Sequence, residues 1–244
     1  MYFSAPRGGR ALLGAAQRCG MTQVDHLVIM ARTLGEGVAW CEATLGITPG
    51  PGGEHAFMGT HNRLFTLASP GFPRAYLEII AINPVANNAH VTCRHRWFDM
   101  DSAALQSVVE RSGPQLIHWV ARVPQLADAL ANLRTQGIDR GTAVKASRQT
   151  PNGLLHWQIS LRDDGQRLFD GCLPTLIAWG QVHPCDTMPE SGVTLNRLAL
   201  AHPQAASLSA ALHAIDLPMP VQTGRASLSV ELQTPKGLIR LSTP

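Results

Sequence analysis

The sequence predicts an α+β protein built from repeated units, each with one strand, one helix and two or three further strands. Two short apolar strands, VDHLVIMA at 24–31 and LIHWVARV at 116–123, each carry a histidine at the third position. Each strand is followed by apolar residues at helical spacing and then by a glycine. A similar strand and helix recur near the end of the chain. Such internal repetition indicates the architecture before any single motif does.

The first unit is predicted at 23–83. After its first strand, apolar residues recur at i, i+4, i+7 and i+11, which is one face of a helix ending at Gly46. Two strands follow, GTHNRLFTL at 59–67 and AYLEIIA at 75–81. We expect the helix to pack on these strands through Leu34 and Val38.

The second unit is predicted at 115–182, after a connector at 84–114 that contains RWFDM and a short helix at 103–110. Leu126, Leu130 and Leu133 give its helix one apolar face, and Gly137 follows as Gly46 does in the first unit. Its later strands are GLLHWQISL at 153–161 and PTLIAWG at 174–180.

A partial third βαβ-type unit is predicted at 193–244, where Asp216 takes the place of the glycine. We expect this tail to dock on the same compact domain or on a second chain, because its last apolar strands have edges that need a partner. Residues 1–22 are predicted to be a poorly ordered extension, and either Met1 or Met21 is the start of translation.

Composition narrows the class of protein. Apolar residues make up 45% of the 244 residues, charged residues 15%, and the net charge is +3, so a large core is expected and disorder is not. The sequence lacks the clustered positive charge that a nucleic-acid partner would need, so none is expected. No apolar run is long enough to span a membrane. The five scattered cysteines indicate reduced thiols and a cytoplasmic protein.

Strand alternation groups the polar residues by face. His156, Gln158 and Ser160 share one face of their strand, and the other face is wholly apolar. We expect the apolar face to cover a helix and the polar face to line a cleft. Glu78 lies in an otherwise apolar strand, where a carboxylate is costly unless it is paired or binds a cation.

Paired βαβββ units with a histidine on the first strand and a glutamate on the last resemble the vicinal oxygen chelate superfamily. The pattern VDHLVIMA, GTHNRLF, YLEIIAI, RWFDM and LIHWVAR is similar to glyoxalase-like domain proteins of that superfamily. The resemblance covers roughly 23–180. It implies an α+β fold of paired βαβββ units with curved mixed sheets around a central cleft, to which the third unit is added.

The resemblance also implies a divalent-metal site, with His26, Glu78 and His118 as ligands and zinc, manganese, iron or nickel as the ion. The fourth ligand position falls on Ile177, which cannot bind a metal. Glu78 and His156 are the candidate catalytic residues, and His61, Asn62 and Gln158 the candidate cleft residues. The alternative for His26 and His118 is a structural role, for His61 and Asn62 a turn into the strand, and for His156 a solvent-exposed strand face. For the metal set as a whole, the alternative is a decayed site on an inherited fold.

Three functions remain open from the sequence. The first is a metal-dependent lyase, isomerase or dioxygenase acting on a small oxygen-rich or carbonyl compound. The second is a protein that binds or sequesters a small molecule in the same cleft without chemistry. The third is an interaction module without a ligand. A small-molecule partner is expected in the first two, and a homodimer is compatible with all three.

Overall fold

The two predicted units are both present in the structure, a computed structural model that describes residues 20–86, 91–150 and 153–244. Most of the expected extension at 1–22 lies outside the described residues. The elements of the first unit are β1 (Gln23–Met30), α1 (Leu34–Leu45), β2 (Glu54–His55), β3 (Thr60–Thr66) and β4 (Tyr76–Ile82).

The connector contains a short 3-10 helix at Trp97–Asp99 and α2 (Ala103–Ser112). The elements of the second unit are β5 (Gln115–Arg122), α3 (Leu126–Thr135), β6 (Thr142–Thr150), β7 (Gly153–Leu161) and β8 (Thr175–Trp179). Those of the tail are β9 (Thr194–His202), α4 (Ala205–Ala214), β10 (Val221–Thr223), β11 (Ser227–Thr234) and β12 (Gly237–Ser242). None of the helices in the described part of the chain is long and apolar enough to cross a membrane.

One mixed sheet of eight strands combines the first two units, in the order β2-β3-β4-β1-β5-β8-β7-β6. Within each unit the first strand pairs with the last in parallel, as β1 does with β4 and β5 with β8. The two units join through antiparallel pairing of β1 with β5. This arrangement confirms the predicted α+β class and the paired βαβββ units, and it brings both first strands to the centre of a curved sheet.

The outer face of the sheet carries the helices. Leu126, Leu130 and Leu133 of α3 are buried there, as predicted. Helix α1 is turned slightly from its predicted face, because Gly37, Cys41 and Leu45 are its buried residues. Leu34 and Val38 are only half-buried. Gly37 allows this approach, since a Cβ there would lie 2.4 Å from Cγ2 of Ile79.

The tail forms its own four-stranded sheet, in the order β10-β9-β11-β12. The backbone N–H of Leu195 donates to the carbonyl of Leu67 at 2.9 Å, which connects β9 to the first unit. Leucines of β9, α4 and β11 share one apolar cluster with β1, β4 and α3. Asp216 has a φ of 55°, the left-handed conformation that Gly46 and Gly137 adopt after the other two helices.

The inner face of the sheet is covered by the connector. The 3-10 helix places the buried side chains of Trp97 and Phe98 there, beside Met30, Ile80 and Val120 from the sheet. The space that this second cluster leaves open is the pocket described next.

Candidate functional site

A pocket of about 40 Å³ lies on the inner face of the eight-stranded sheet. Its two walls differ in chemistry. The polar wall comes mostly from the first unit and consists of His26, His55, Asn62, Tyr76 and Glu78, with Arg148 of β6 beside them. The apolar wall comes from the second unit and consists of Leu155, Trp157, Ile159, Ile177 and Trp179. Trp97 and Phe98 of the connector complete the lining.

A β-bulge in the first strand places a buried carboxylate behind the polar wall. In the pairing of β1 with β5, Val24 faces Ala121 and His26 faces Val120, so Asp25 is an extra residue in the ladder. Its carboxylate is 0% exposed and accepts hydrogen bonds from two other parts of the chain. Nε2 of His183 donates at 3.0 Å and Nε1 of Trp179 donates at 3.0 Å.

The third donor to Asp25 is His26. Its Nδ1 lies 2.7 Å from Oδ1 of Asp25. Burial by itself would raise the pKa of Asp25, but hydrogen bonds from His183 and His26 outweigh burial and hold that pKa well below its usual range. Because the ionised carboxylate can only accept, Nδ1 of His26 carries a proton and Nε2 is the atom turned towards the pocket.

Nε2 of His26 lies 3.5 Å from Oε2 of Glu78 inside the pocket. Both side chains are nearly buried, with relative exposures of 4% and 5%. If Nε2 of His26 carried only a lone pair, it would face the Glu78 carboxylate in a nearly buried site, which is unfavourable. The two groups therefore need a shared proton or another cation between them. Tyr76 holds the imidazole ring in place by stacking on it at a centroid distance of 4.5 Å.

The other carboxylate oxygen of Glu78 is fixed by Asn62, whose Nδ2 donates to Oε1 at 2.7 Å. Oδ1 of Asn62 accepts from the backbone N–H of Gly53 at 2.8 Å. Gly52 is needed for this loop to wrap the amide, because a Cβ there would lie 2.3 Å from Oδ1 of Asn62. The glycine-rich segment before β2 therefore orients the amide that orients Glu78.

His55 extends the same network. Its Nδ1 lies 3.1 Å from Oγ1 of Thr60, and its Nε2 lies 4.0 Å from Oε1 of Glu78. Burial lowers the pKa of His55 to about 4, so its ring is neutral at neutral pH. His55 and Asn62 thus surround Glu78 with neutral groups, and the nearest imidazole able to share charge with it is His26.

His118 does not line this pocket. Its Nδ1 lies 3.1 Å from the carbonyl oxygen of Gly171 and must donate to it. Its Nε2 accepts from the backbone N–H of Thr175 at 3.1 Å. The ring is 0% exposed, and Phe98, which lines the pocket, packs against it at 5.1 Å. Burial lowers the pKa of His118 well below its usual value, which keeps the ring neutral.

The metal ligands implied by the resemblance therefore do not fit as a set. His26 and Glu78 share the pocket, but both nitrogens of His118 are already occupied by protein partners. Ile177, at the fourth position, forms part of the apolar wall. Across residues 20–86, 91–150 and 153–244, no group of three or more His, Cys, Asp or Glu side chains is arranged to hold a metal ion.

The predicted faces of β7 are corrected by the structure. Leu155, Trp157 and Ile159 line the pocket, whereas His156 and Gln158 are exposed on the opposite side of the strand. Neither of the two polar residues reaches Glu78, so His156 is no longer a candidate catalytic residue. The apolar face of β7 packs on the connector and forms the pocket wall, which alternation alone could not distinguish from a helix-covering face.

On β3 the predicted cleft residues separate in the same way. Asn62 lines the pocket, while His61 belongs to the other face and is half-buried. Nε2 of His61 is buried without a hydrogen-bond partner among the described residues. Glu78 and Tyr76 face the pocket together from β4, as their spacing predicts.

Four residues of the site were not predicted from the sequence: Asp25, His55, Arg148 and His183. Asp25 had a usable signal, since a carboxylate inside an apolar strand is costly unless it has partners. The sequence gives no comparable signal for His55, Arg148 or His183. His183 precedes a short 3-10 helix at Pro184–Asp186, His55 belongs to a two-residue strand, and Arg148 lies on the edge strand β6.

Paired βαβββ units in one curved sheet around a pocket define the fold of the vicinal oxygen chelate superfamily. The glyoxalase-like domain family matches residues 24–215. The chain belongs to this family, which confirms the resemblance seen in the sequence. No curated protein matches the sequence.

Solved structures were compared with this fold. A hypothetical protein from Staphylococcus aureus shares it, at 14% identity and with a TM-score of 0.56 over 91% of this chain and 85% of that one. Methylmalonyl-CoA epimerase from Mycobacterium tuberculosis is 16% identical, with a TM-score of 0.38 over 70% of this chain and 95% of that one. A variant of the Streptomyces coelicolor epimerase, in complex with 2-nitronate-propionyl-CoA, is 13% identical with a TM-score of 0.39, over 66% and 97% of the two chains.

Proposed function

We propose that the protein is an enzyme of the isomerase or lyase type, which moves a proton at a carbon next to the carbonyl group of a small oxygen-rich compound. Glu78 and His26 are the proposed catalytic residues. Asp25 is the proposed positioning residue behind them. The proposed partner is a small molecule, and the proposed location is the cytoplasm.

The chain of contacts from Asp25 through His26 to Glu78 carries this proposal. It begins at the ionised carboxylate of Asp25, which accepts a hydrogen bond from His26, and ends at the carboxylate of Glu78, 3.5 Å from the same ring. A ring held between two carboxylates can take up a second proton and remain in place, because positive charge on it is stabilised from both sides. A buried acid and base in contact is the usual arrangement for general acid–base catalysis.

The proposed step conserves atoms and charge. Oε2 of Glu78 takes a proton from the substrate carbon, the C–H electron pair forms a carbon–carbon double bond, and the carbonyl oxygen becomes negative. Nε2–H of His26 donates a hydrogen bond to that oxygen while Asp25 stabilises the imidazolium. Glu78 then returns the proton to the same carbon or to a neighbouring one. Asn62 keeps the Glu78 carboxylate in a fixed orientation throughout.

The apolar wall sets the surroundings in which this step takes place. Trp157, Trp179 and Ile177 exclude water on the side opposite Glu78. Low polarity there strengthens the interaction between His26 and a developing negative charge. A cavity of about 40 Å³ suits a compound of a few non-hydrogen atoms.

A divalent ion is the second candidate for the cation between His26 and Glu78. The observation in its favour is the approach of Nε2 and Oε2 to 3.5 Å without a protein donor between them. His55, with its Nε2 4.0 Å from Glu78, is the side chain nearest to serving as a third ligand. Zinc, manganese, iron and nickel are the ions to test, as His and carboxylate ligands suit them. The alternative to both candidates is a protein that binds a small molecule in this pocket without changing it.

Deuterium exchange tests the proposal most generally. Purified protein is incubated in D₂O with a panel of small aldehydes, ketones and 2-oxo acids, and loss of the C–H signal next to the carbonyl is followed by proton NMR. Elemental analysis of the same sample reports bound metal. Exchange above the rate of a Glu78→Gln variant supports the proposal, and metal present in proportion to the active protein favours the second candidate. Ligand binding without exchange for any compound would assign the pocket to the non-catalytic alternative.

A further inference from the structure

A positively charged residue borders the pocket with no acidic partner among the described residues. Arg148 lies on β6, the edge strand opposite β2 in the eight-stranded sheet. Its Nη1 reaches across to Oδ1 of Asn62 at 3.4 Å. The side chain lies over Gly53, where an added Cβ would come within 2.5 Å of Cδ of Arg148. Arg148 therefore bridges the two edges of the curved sheet beside Glu78.

The hydrogen-bonding capacity of Arg148 is largely unused. Within the described ranges it forms no ion pair, and its Nε is buried without a hydrogen-bond partner. Arg162 and Arg167 differ, because each is paired with an aspartate, and Arg96 is paired with Asp101 although its Nε also lacks a partner among the described residues. An unpaired guanidinium at the edge of a pocket is unfavourable unless a ligand supplies the missing acceptor.

The charges of the pocket indicate what that ligand carries. The carboxylates of Asp25 and Glu78 both lie close to His26, so a proton shared there already offsets part of their charge. Arg148 adds a further positive charge with no acidic side chain within ion-pair distance among the described residues. The planar fork of a guanidinium matches a carboxylate with two parallel hydrogen bonds.

We propose that Arg148 binds the carboxylate of the substrate, which makes the substrate a small 2-oxo or 2-hydroxy acid with a short apolar chain. This inference rests on the proposed function for the choice of oxygen-rich compounds. The carboxylate pairs with Arg148, the neighbouring carbon and its oxygen lie next to His26 and Glu78, and the apolar chain contacts Trp157 and Trp179. Arg148 is thus the specificity residue of the pocket.

A singly charged carboxylate fits better than a phosphate. A phosphate group would bring close to two negative charges near Glu78 and Asp25, where like charges repel. Inorganic phosphate is therefore included in the test as the competing anion.

The test compares 2-oxobutanoate with its neutral primary amide, which has nearly the same shape, and with inorganic phosphate. Dissociation constants are measured by ligand-observed NMR for the wild type and for Arg148→Gln, Arg148→Lys and Lys145→Gln. Lys145 is the matched control, because it is a cation on the same strand with its side chain exposed on the outer face. Gly53→Ala is added because its Cβ displaces Arg148 without removing the charge.

We expect wild type to bind 2-oxobutanoate about tenfold or more tightly than the amide, and Arg148→Gln to remove that difference while binding the amide as before. Arg148→Lys and Gly53→Ala should keep part of the preference, and Lys145→Gln should keep all of it. The inference is overturned if wild type fails to bind 2-oxobutanoate, binds the amide or phosphate as tightly, or keeps its preference in Arg148→Gln. Because this is a binding measurement, the inference on Arg148 can fail while deuterium exchange succeeds, and the reverse.

Discussion

The two repeated units place a histidine at the same position of their first strand, yet the two histidines have different surroundings. His26 presents Nε2 to the pocket, whereas both nitrogens of His118 are hydrogen-bonded to the backbone near β8. Where the first unit has Asp25 before its histidine and Glu78 on its last strand, the second unit has Ile117 and Ile177. Equivalent backbone positions therefore do not imply equivalent chemistry, since the partners of the ring nitrogens determine what each histidine can do.

The difference divides the pocket into a reactive wall and a packing wall. The first unit supplies the carboxylates and the imidazole of the polar wall, and the second supplies most of the apolar surface together with Arg148. In the proposed function one His–Glu pair, supported by Asp25, replaces the ligand set of His26, Glu78 and His118 that the family resemblance implied. Substitutions in one unit or the other distinguish the roles of the two walls.

Glu78→Gln should have the largest effect on activity. The amide keeps the size of the side chain but cannot take a proton, so we expect deuterium exchange to fall by about 10²-fold or more. Circular dichroism and thermal unfolding check that the fold is retained. Glu54→Gln is the control, because Glu54 is an exposed carboxylate on β2, which is separated from β4 by β3. Equal losses in the two variants would contradict a specific role for Glu78.

Asp25→Asn should lower exchange by about 10- to 100-fold, as loss of a carboxylate that orients a histidine commonly does. The asparagine oxygen can still accept from one donor, but it no longer fixes the proton of His26 on Nδ1. The check is ¹⁵N NMR of the His26 ring, in which wild type should show the Nδ1–H form when Nε2 is unprotonated. Reduced exchange with an unchanged tautomer would mean that Asp25 acts only through stability.

Ile177→Glu tests whether a metal-ligating side chain can be introduced into the second unit. A carboxylate in the apolar wall, where Ile177 is 2% exposed, should cost about 2–4 kcal/mol of unfolding free energy in the absence of metal. Thermal unfolding with and without zinc or manganese measures both effects. If the ion restores most of the lost stability, the pocket can bind metal through both units. Ile177→Val is the control for the change in packing.

The smallest effect should be on the pH dependence of stability. Burial holds the pKa of His118 well below 6.5, so between pH 6.5 and the folded pKa the unfolded chain binds more protons than the folded one. Stability should therefore fall as pH decreases from 7 to 5. Replacing His118 with Gln should make that fall smaller by about 1–2 kcal/mol in urea unfolding. An unchanged pH dependence would show that His118 does not remain neutral in the folded state.

The sequence predicted the architecture better than the site. Internal repetition, apolar periodicity and the glycines after the helices identify the long helices and strands. These patterns can be read from a single sequence. The pocket depends on contacts between distant segments. Asp25 reaches His26 only because of a bulge, and His183 reaches Asp25 from a loop 158 positions away. Such contacts leave no periodic pattern.

The reversed assignment of β7 has a similar cause. Alternation showed correctly that His156 and Gln158 share a face, but not which side of the sheet that face meets. The expectation that polar residues line a cleft holds for Asn62 and Glu78 in the first unit. It does not hold for β7 and β8 of the second unit, whose contribution to the pocket is apolar.

The central claim is that His26 works in the pocket while His118 supports the fold, and a matched pair of variants tests it most directly. Deuterium exchange and thermal unfolding are measured for His26→Gln and His118→Gln under the same conditions. The account predicts that the first variant loses about 10²-fold or more in exchange at a temperature where it remains folded, because proton transfer at Nε2 is lost. The second should keep its exchange rate and unfold at a clearly lower temperature, because buried hydrogen bonds are lost. Exchange that depends on His118 as strongly as on His26, or that survives in His26→Gln, would contradict the account.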